Sequence, residues 1–327
     1  MTHSPPSARE LADGVRAAYE RIRADVVHTP VEFSPVLSER TGARVFLKWE
    51  CDQTTGSFKF RGALNKLRSL SPAEKAAGVV SASTGNHGLA MARAAKIEGV
   101  ALRLFLPETA AEVKRKRLEA LSVDVAYLGS DCGRTEVHAR QEAGRTGRVF
   151  VSPYNDLDII RGAGTIGLEI AADLPEAEDV LVPVGGGGLV VGIAAFLRAE
   201  RPGMRTVGVE PAASAFMAAS VAAGRLVGVD EKETIADAVA GGIEPGAVTF
   251  PLYRDLVGRT LLVGEPAIAA AMALLRESHG RAVEGAGALP AAGLLSSPEM
   301  FRGRTVLLIA SGRNIAPERF RAVTGLN

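Results

Sequence analysis

Residues that commonly announce redox, metal or stacking chemistry are scarce: two cysteines, five histidines and one tryptophan among 327 residues. Neither Cys51 nor Cys132 has a Cys-x-x-Cys partner, so no thiolate zinc site or disulfide framework is indicated. Low cysteine content fits a reducing compartment, and a cytoplasmic location is expected. His3, His28, His87, His138 and His279 share no ligand spacing, which argues against a metal hydrolase. The net charge is only +1, so nothing points to nucleic acid or an anionic membrane. The densest basic run, Lys114 to Arg117, falls in a helical pattern and reads as a solvated face. The longest apolar run, 266–275, falls short of the roughly 20 residues a bilayer span needs. The N-terminus has no secretory h-region. No internal repeat or low-complexity stretch is visible.

What the chain does have is glycine, 36 of them, in an otherwise ordinary composition with 47% hydrophobic and 23% charged residues. Ser7-Ala8-Arg9-Glu10 forms a capping-box pattern that opens a helix with Leu11, Val15, Ala18 and Ile22 on one face. The segment "HTPVEFSP" ends it. Short β-branched runs follow at 45–50, 79–83, 101–107, 123–128, 148–153, 179–184, 206–211, 260–264 and 305–311. Helical patterns lie between most of them. Such alternation predicts an α/β fold of two lobes, with open, twisted, mainly parallel sheets covered by helices on both faces.

The glycines gather at strand-to-helix turns, where α/β enzymes bind ligands. In "VPVGGGGLVVGIAAFL" a buried strand runs into Gly185, Gly186, Gly187 and Gly188, and a helix starts near Leu189. Bare backbone N–H groups at a helix N-terminus form an anion site, and glycine lets them approach a phosphate closely. A tight turn would not need four consecutive glycines. A second turn, "SASTGNHG", offers Ser83, Thr84, Gly85, Asn86 and His87 at another helix start and suits a carboxylate. "GAGTIG" at 162–167 matches a dinucleotide fingerprint literally. It does not follow a strand directly, and Gly187 stands where an acidic residue belongs, so close helix packing is the better reading. A nucleotide-binding oxidoreductase is the competing class that rests on it. No GxxxxGK[ST] is present.

Lys59 is set between Phe58 and Phe60 at the predicted start of a helix. A cation there opposes the helix dipole, and two neighbouring aromatic rings partly desolvate it. Both effects favour the neutral amine, which attacks aldehydes. Taken alone, a lysine whose stem lies on phenylalanine is the blander account. A phosphate cradle without a nucleotide signature shifts the balance toward pyridoxal phosphate.

Together, "TGSFKFRGA", "STGNHG", "GGGGL" and "SGRN", in this order, resemble the fold-type II pyridoxal-phosphate enzymes, in particular the serine/threonine dehydratase and serine racemase group. The likeness spans nearly the whole chain. It implies a tryptophan synthase β-like fold, with 1–52 and 152–327 forming a large cofactor-binding domain and 53–151 a small mobile one. It further implies a homodimer acting on a small amino acid. Lys59 is then the Schiff-base lysine and Phe58 the residue packed on the cofactor ring. Asn86 faces the cofactor 3-hydroxyl, and Gly185 to Gly188 with the Leu189 N–H hold the phosphate. Ser311 pairs with the pyridine nitrogen, Glu284 lies near the cofactor face, and Ser83 to His87 bind the substrate carboxylate. A neutral Ser311 partner makes the ring a weaker electron sink, which suits β-elimination of water better than amino transfer. The expected reaction converts a 2-amino-3-hydroxy acid such as threonine or serine into a 2-oxo acid and ammonia. Lys59 is its general base.

Departures bear on the substrate. Thr84 stands where racemases of the group carry a serine; its hydroxyl can still act as an acid, but racemisation is disfavoured. Ala238 replaces the glycine of "TxADG", and Ala163 replaces the glutamine of "GQGT". Glu210 matches one ligand of the group's divalent-cation site, but Phe216 occupies the acidic position, so a complete site is not expected. "AGGIEPGAVTFPL" resembles dehydratases of hydroxyectoine utilisation, which makes a hydroxyectoine-derived β-hydroxy amino acid the alternative substrate. No regulatory domain follows residue 327, so control by isoleucine is not expected.

Overall fold

A computed structural model describes residues 4–83, 85–108, 118, 121, 123–129 and 132–326. The basic run Lys114 to Arg117 and Thr84 lie outside the described residues. The capping box at Ser7 forms: Ser7 Oγ accepts from the Glu10 N–H at 3.3 Å, and a Glu10 carboxylate oxygen accepts from the Ser7 N–H at 2.8 Å. The helix that follows, Ala8–Ile22, buries Leu11, Val15, Ala18 and Ile22, the face its periodicity marks.

Among the described residues the strands are β1 (Val31–Phe33), β2 (Arg44–Lys48), β3 (Val79–Ala82), β4 (Leu102–Leu106), β5 (Asp124–Tyr127), β6 (Val149–Phe150), β7 (Asp179–Pro183), β8 (Arg205–Pro211), β9 (Arg259–Val263) and β10 (Thr305–Ile309). They form a six-stranded sheet, β1-β2-β10-β7-β8-β9, and a four-stranded sheet, β5-β4-β3-β6. Every pairing is parallel except β1 with β2. Each apolar run singled out in the sequence contains a strand. β1 escaped that reading because it is three residues long and bracketed by Pro30 and Pro35, on the sheet edge where proline is tolerated.

"GAGTIG" lies inside the Leu157–Asp173 helix and serves close packing. A Cβ on Gly162 would stand 2.6 Å from the Arg61 carbonyl oxygen, and one on Gly164 would stand 2.8 Å from that of Gly192. Three helices therefore meet backbone to backbone: the one carrying the motif, Lys59–Ser69 and Gly188–Glu200. The last two begin at the two most suggestive sequence motifs.

Beneath Lys59–Ser69 runs a buried ionic network. The fully buried Arg61 donates to Glu50 at 2.8 and 2.9 Å and to Glu169 at 2.6 and 2.9 Å. It also reaches Thr165 Oγ1 at 3.3 Å and the Val27 carbonyl at 3.0 Å. Lys48, from β2, joins at 2.6 Å from Glu169. Buried charges persist only when paired, and here the pairing ties the helix of Lys59 to β2 and to the Leu157–Asp173 helix.

Candidate active site

Lys59 is the first residue of its helix, as its placement after Gly56-Ser57 predicts. The entry to that helix is held by the end of β10. Ser57 bridges Gly312, the Phe58 N–H donates to the Ser311 carbonyl at 3.1 Å, and the Arg313 N–H donates to the Gly56 carbonyl at 2.9 Å. Ser311 is buried beside this junction. Lys59 and Ser311, 252 positions apart by number, thus share one corner.

The Lys59 ammonium lies 5.1 Å from the centroid of the Phe58 ring and donates to the Pro153 carbonyl at 2.8 Å. Among the described residues no carboxylate answers it. The residue is half-buried by surface, but its nitrogen is deep in the protein, and depth governs the solvation of charge. Desolvation pushes its pKa down to about 8. The expected contribution of Phe60 is not made. That ring is fully buried with Leu64, Leu67 and Leu89 under the helix, because in a helix adjacent residues point to different faces.

Gly185 to Gly188 join the end of β7 to the Gly188–Glu200 helix. Among the described residues, no backbone N–H from Gly185 to Leu189 finds a protein acceptor. The loop is tightly enclosed. A Cβ on Gly186 would lie 2.3 Å from the Tyr154 ring, and one on Gly185 would lie 2.9 Å from the Val239 carbonyl oxygen. Gly187 has φ +89°, which side chains rarely adopt. Beside it the buried Thr249 Oγ1 has no hydrogen-bond partner. An array of unanswered donors at a helix N-terminus, plus an orphaned hydroxyl, fits a phosphate group. The cradle is close to Lys59: Pro153, whose carbonyl accepts from Lys59, precedes Tyr154, whose ring covers Gly186.

The other glycine-bearing turn opens the Asn86–Glu98 helix. Gly85 is its N-cap, and the Gly85 N–H donates to Ser83 Oγ at 3.2 Å. The N–H groups of Asn86 and His87 have no acceptor among the described residues, an arrangement suited to a carboxylate. The Asn86 side chain is fixed from both ends. Its Oδ1 accepts from Asn314 Nδ2 at 2.5 Å, and its Nδ2 donates to Glu284 Oε1 at 2.6 Å. That orientation leaves the second Nδ2 hydrogen free to donate elsewhere. Glu284 is itself pressed against Gly312, where a Cβ would fall 2.2 Å from its carboxylate. Asn86, Glu284 and the Ser311 turn therefore form one cluster with Lys59.

His87 turns inward. It is 3% exposed, and Nε2 lies 3.0 Å from Ser81 Oγ, which donates to the Val151 carbonyl at 2.7 Å. Ser81 has one hydrogen, so Nε2 must be the donor and Nδ1 is left a bare acceptor, buried and unpartnered. Burial, aided by the Lys59 charge, pushes its pKa down to about 3. From His87 only the backbone N–H is offered to the carboxylate site.

Glu210, at the end of β8, is also committed. One carboxylate oxygen accepts from the Met217 N–H at 2.9 Å and the other from the Ala218 N–H at 2.8 Å. It caps the Phe216–Ala223 helix, and burial raises its pKa to about 7 despite both donors. Among the described residues, no group of three or more His, Cys, Asp or Glu is placed to hold a metal ion. Nor is any helix there long and apolar enough to cross a membrane.

The sequence reading passed over Tyr154, Thr249 and the Pro153 carbonyl. Nothing local marks them; each matters through a contact with a distant segment. Asn314 carried a signal, since it closes "SGRN".

The chain also matches known proteins. The sequence model of the pyridoxal-phosphate dependent enzymes covers residues 22–312. An L-threonine ammonia-lyase of Thermotoga maritima is 40% identical over 297 residues, covering 90% of this chain and 74% of the relative. The catabolic L-threonine dehydratase of Escherichia coli is 36% identical over 315 residues, covering 96% and 95%. Among solved structures, threonine deaminase isoform 2 of Solanum lycopersicum superposes with a TM-score of 0.90 at 30% identity, covering 99% of this chain and 96% of that one. Maize serine racemase gives a TM-score of 0.88 at 32% identity, covering 94% of each chain.

Proposed function

The chain belongs to the pyridoxal-phosphate dependent enzymes, and on that premise we propose that it dehydrates and deaminates a small 2-amino-3-hydroxy acid, L-threonine first, to a 2-oxo acid and ammonia. One observation carries the reading. A lysine with its pKa lowered to about 8 stands between two unanswered N–H arrays, one suited to a phosphate and one to a carboxylate. The relatives named for threonine support the substrate.

Pyridoxal phosphate bound here supplies an aldehyde for the substrate amine and a conjugated ring that spreads negative charge from the substrate Cα. The rest is the work of this chain. Gly185 to Leu189 would hold the phosphate through backbone N–H groups, and Phe58 would pack on the ring. Asn86, its amide fixed by Asn314 and Glu284, would donate to the 3-hydroxyl, and Ser311 would be the neutral partner of the pyridine nitrogen. The segment Ser83 to His87, Thr84, Gly85 and Asn86 included, would take the substrate carboxylate. Lys59 Nζ, as a neutral amine, would take the Cα proton; the β-hydroxyl would leave with its bonding electrons and, with that proton returned to it, depart as water, and a second water would hydrolyse the resulting enamine to the 2-oxo acid and ammonia. The likeness of sequence makes Thr84 a candidate acid.

The division at 53–151 is part of the same reading: the four-stranded sheet lies wholly inside it and the six-stranded sheet wholly outside. So is a cytoplasmic homodimer, for which the likeness of sequence is the support and size-exclusion chromatography with light scattering the check.

The test is optical and chemical. Purified protein loaded with pyridoxal phosphate should absorb in the visible and release 2-oxobutanoate and ammonia from L-threonine. Lys59→Ala should lose both. A wild-type protein that takes up no cofactor would overturn the reading. A panel of serine, threonine, 3-hydroxyaspartate and hydroxyectoine-derived acids ranks the substrates, and scrambling of D- and L-serine would instead mark a racemase.

A further inference from the structure

On the edge of the six-stranded sheet opposite the glycine loop lies a groove of about 730 Å³, within the range of small-molecule sites. Its lining mixes polar atoms with the apolar side chains of Pro202, Leu256 and Val257. Its walls carry four arginines from four different elements. Arg205 and Arg259 are the first residues of β8 and β9, and Arg198 and Arg254 sit in the last turns of the Gly188–Glu200 and Thr249–Leu256 helices.

Ordinary structural causes account for part of this. A cation in the last turn of a helix complements its dipole, which favours Arg198 and Arg254. Arg205 pairs with Asp179 at 2.7 Å, and Arg254 pairs with Asp255 at 3.0 Å. Strand starts carry no comparable dipole. Among the described residues, Arg259 meets only the Met300 sulfur, at 3.4 Å, and Arg198 has no carboxylate partner. Two guanidinium groups without counter-charge therefore face one concave space. Their fork geometry suits phosphate and carboxylate oxygens.

We propose that this groove binds a small organic polyanion, its charged groups held by Arg198 and Arg259 and its body lying against Pro202, Leu256 and Val257. The site is distinct from the one proposed for the cofactor. Along the Gly188–Glu200 helix, Arg198 lies ten residues beyond Gly188, about 15 Å along the axis. All four arginines are exposed, so substitutions there leave the core untouched.

The test uses the enzyme already loaded with pyridoxal phosphate, so that its phosphate cradle is filled. Inorganic pyrophosphate and citrate are titrated by calorimetry at ionic strength matched with sodium chloride, against wild type and Arg198→Ala/Arg259→Ala. Saturable binding of either probe, weakened at least about 10-fold in the variant with threonine turnover unchanged, is expected. It should also weaken as salt is raised. Pyrophosphate alone would mark a phosphate ligand, and citrate binding a polycarboxylate one. Absence of saturable binding by both, or equal affinity in the variant, overturns the proposal.

Discussion

Arg61 is the most exacting place to test how the Lys59 helix is held. Arg61→Met keeps length and apolar bulk but removes every one of its guanidinium hydrogen bonds. Glu50 and Glu169, at 0% and 1% exposure, then face each other without that cation. Glu169 keeps Lys48 at 2.6 Å, whereas Glu50 keeps only the Thr29 hydroxyl at 2.5 Å. Breaking a buried pair in this one-sided way costs about 3–5 kcal/mol. Unfolding entropy of about 2.1 cal/mol/K per residue turns that, for a chain of this length, into a midpoint lowered by about 4–7 °C. The assay is thermal unfolding of the loaded enzyme followed by circular dichroism. Arg61→Met/Glu50→Met removes one charge of each sign and leaves Glu169 with Lys48, so it should regain more than half of the loss. If the single variant melts within about 1 °C of wild type, or the double variant melts lower than the single one, the reasoning about uncompensated charge is wrong.

Four further outcomes follow from the structure. With its pKa lowered from 10.5 to about 8, the Lys59 amine is neutral in about 9% of molecules at pH 7, against about 0.03% for an ordinary lysine. Uptake of pyridoxal phosphate by the cofactor-free protein should therefore rise with pH about a midpoint near 8; a rise centred near 10.5 would refute the burial argument. Because the unfolded chain still binds that proton between pH 8 and 10.5, Lys59 also makes the cofactor-free protein gain stability across the same window, a gain that Lys59→Met should remove. Gly186→Ala drives a Cβ to 2.3 Å from the Tyr154 ring; such overpacking costs about 1–3 kcal/mol, so cofactor affinity should fall while Gly144→Ala, with nothing within 4 Å, is silent. Glu210 has a folded pKa of about 7 against 4.5 unfolded, so the folded state holds the proton longer and stability is lost as pH rises through that window. Glu210→Gln should flatten this loss in melts at pH 5 and pH 8, and an unchanged slope would dismiss Glu210 as its source.

Much of the site was legible because its signals are local. Four glycines after a buried strand can only be a close backbone approach, and a lysine at a helix start is already pushed toward its neutral form. The α/β alternation likewise follows from short-range pattern. Residues that act through distant contacts left no such mark. Tyr154 matters because its ring lies on Gly186, Thr249 because its hydroxyl is orphaned beside Gly187, and Arg61 because Glu50 and Glu169 converge on it. The aromatic pair around Lys59 was half right, since the helix sends Phe58 to the amine and Phe60 to the core. β1 was hidden by its two prolines.

By itself, then, the sequence determined the parallel α/β architecture, the glycine loop after a buried strand and the lysine at a helix start, all of which depend on backbone propensity and periodicity over a few residues. Tertiary structure alone decided that the Ser311 turn sits against the Phe58 backbone, that His87 faces Ser81 rather than the cleft, and that Glu210 caps a helix with both oxygens. Those outcomes depend on which buried polar groups find partners when segments far apart in the chain are packed together, and a donor's partner is not written in its neighbours.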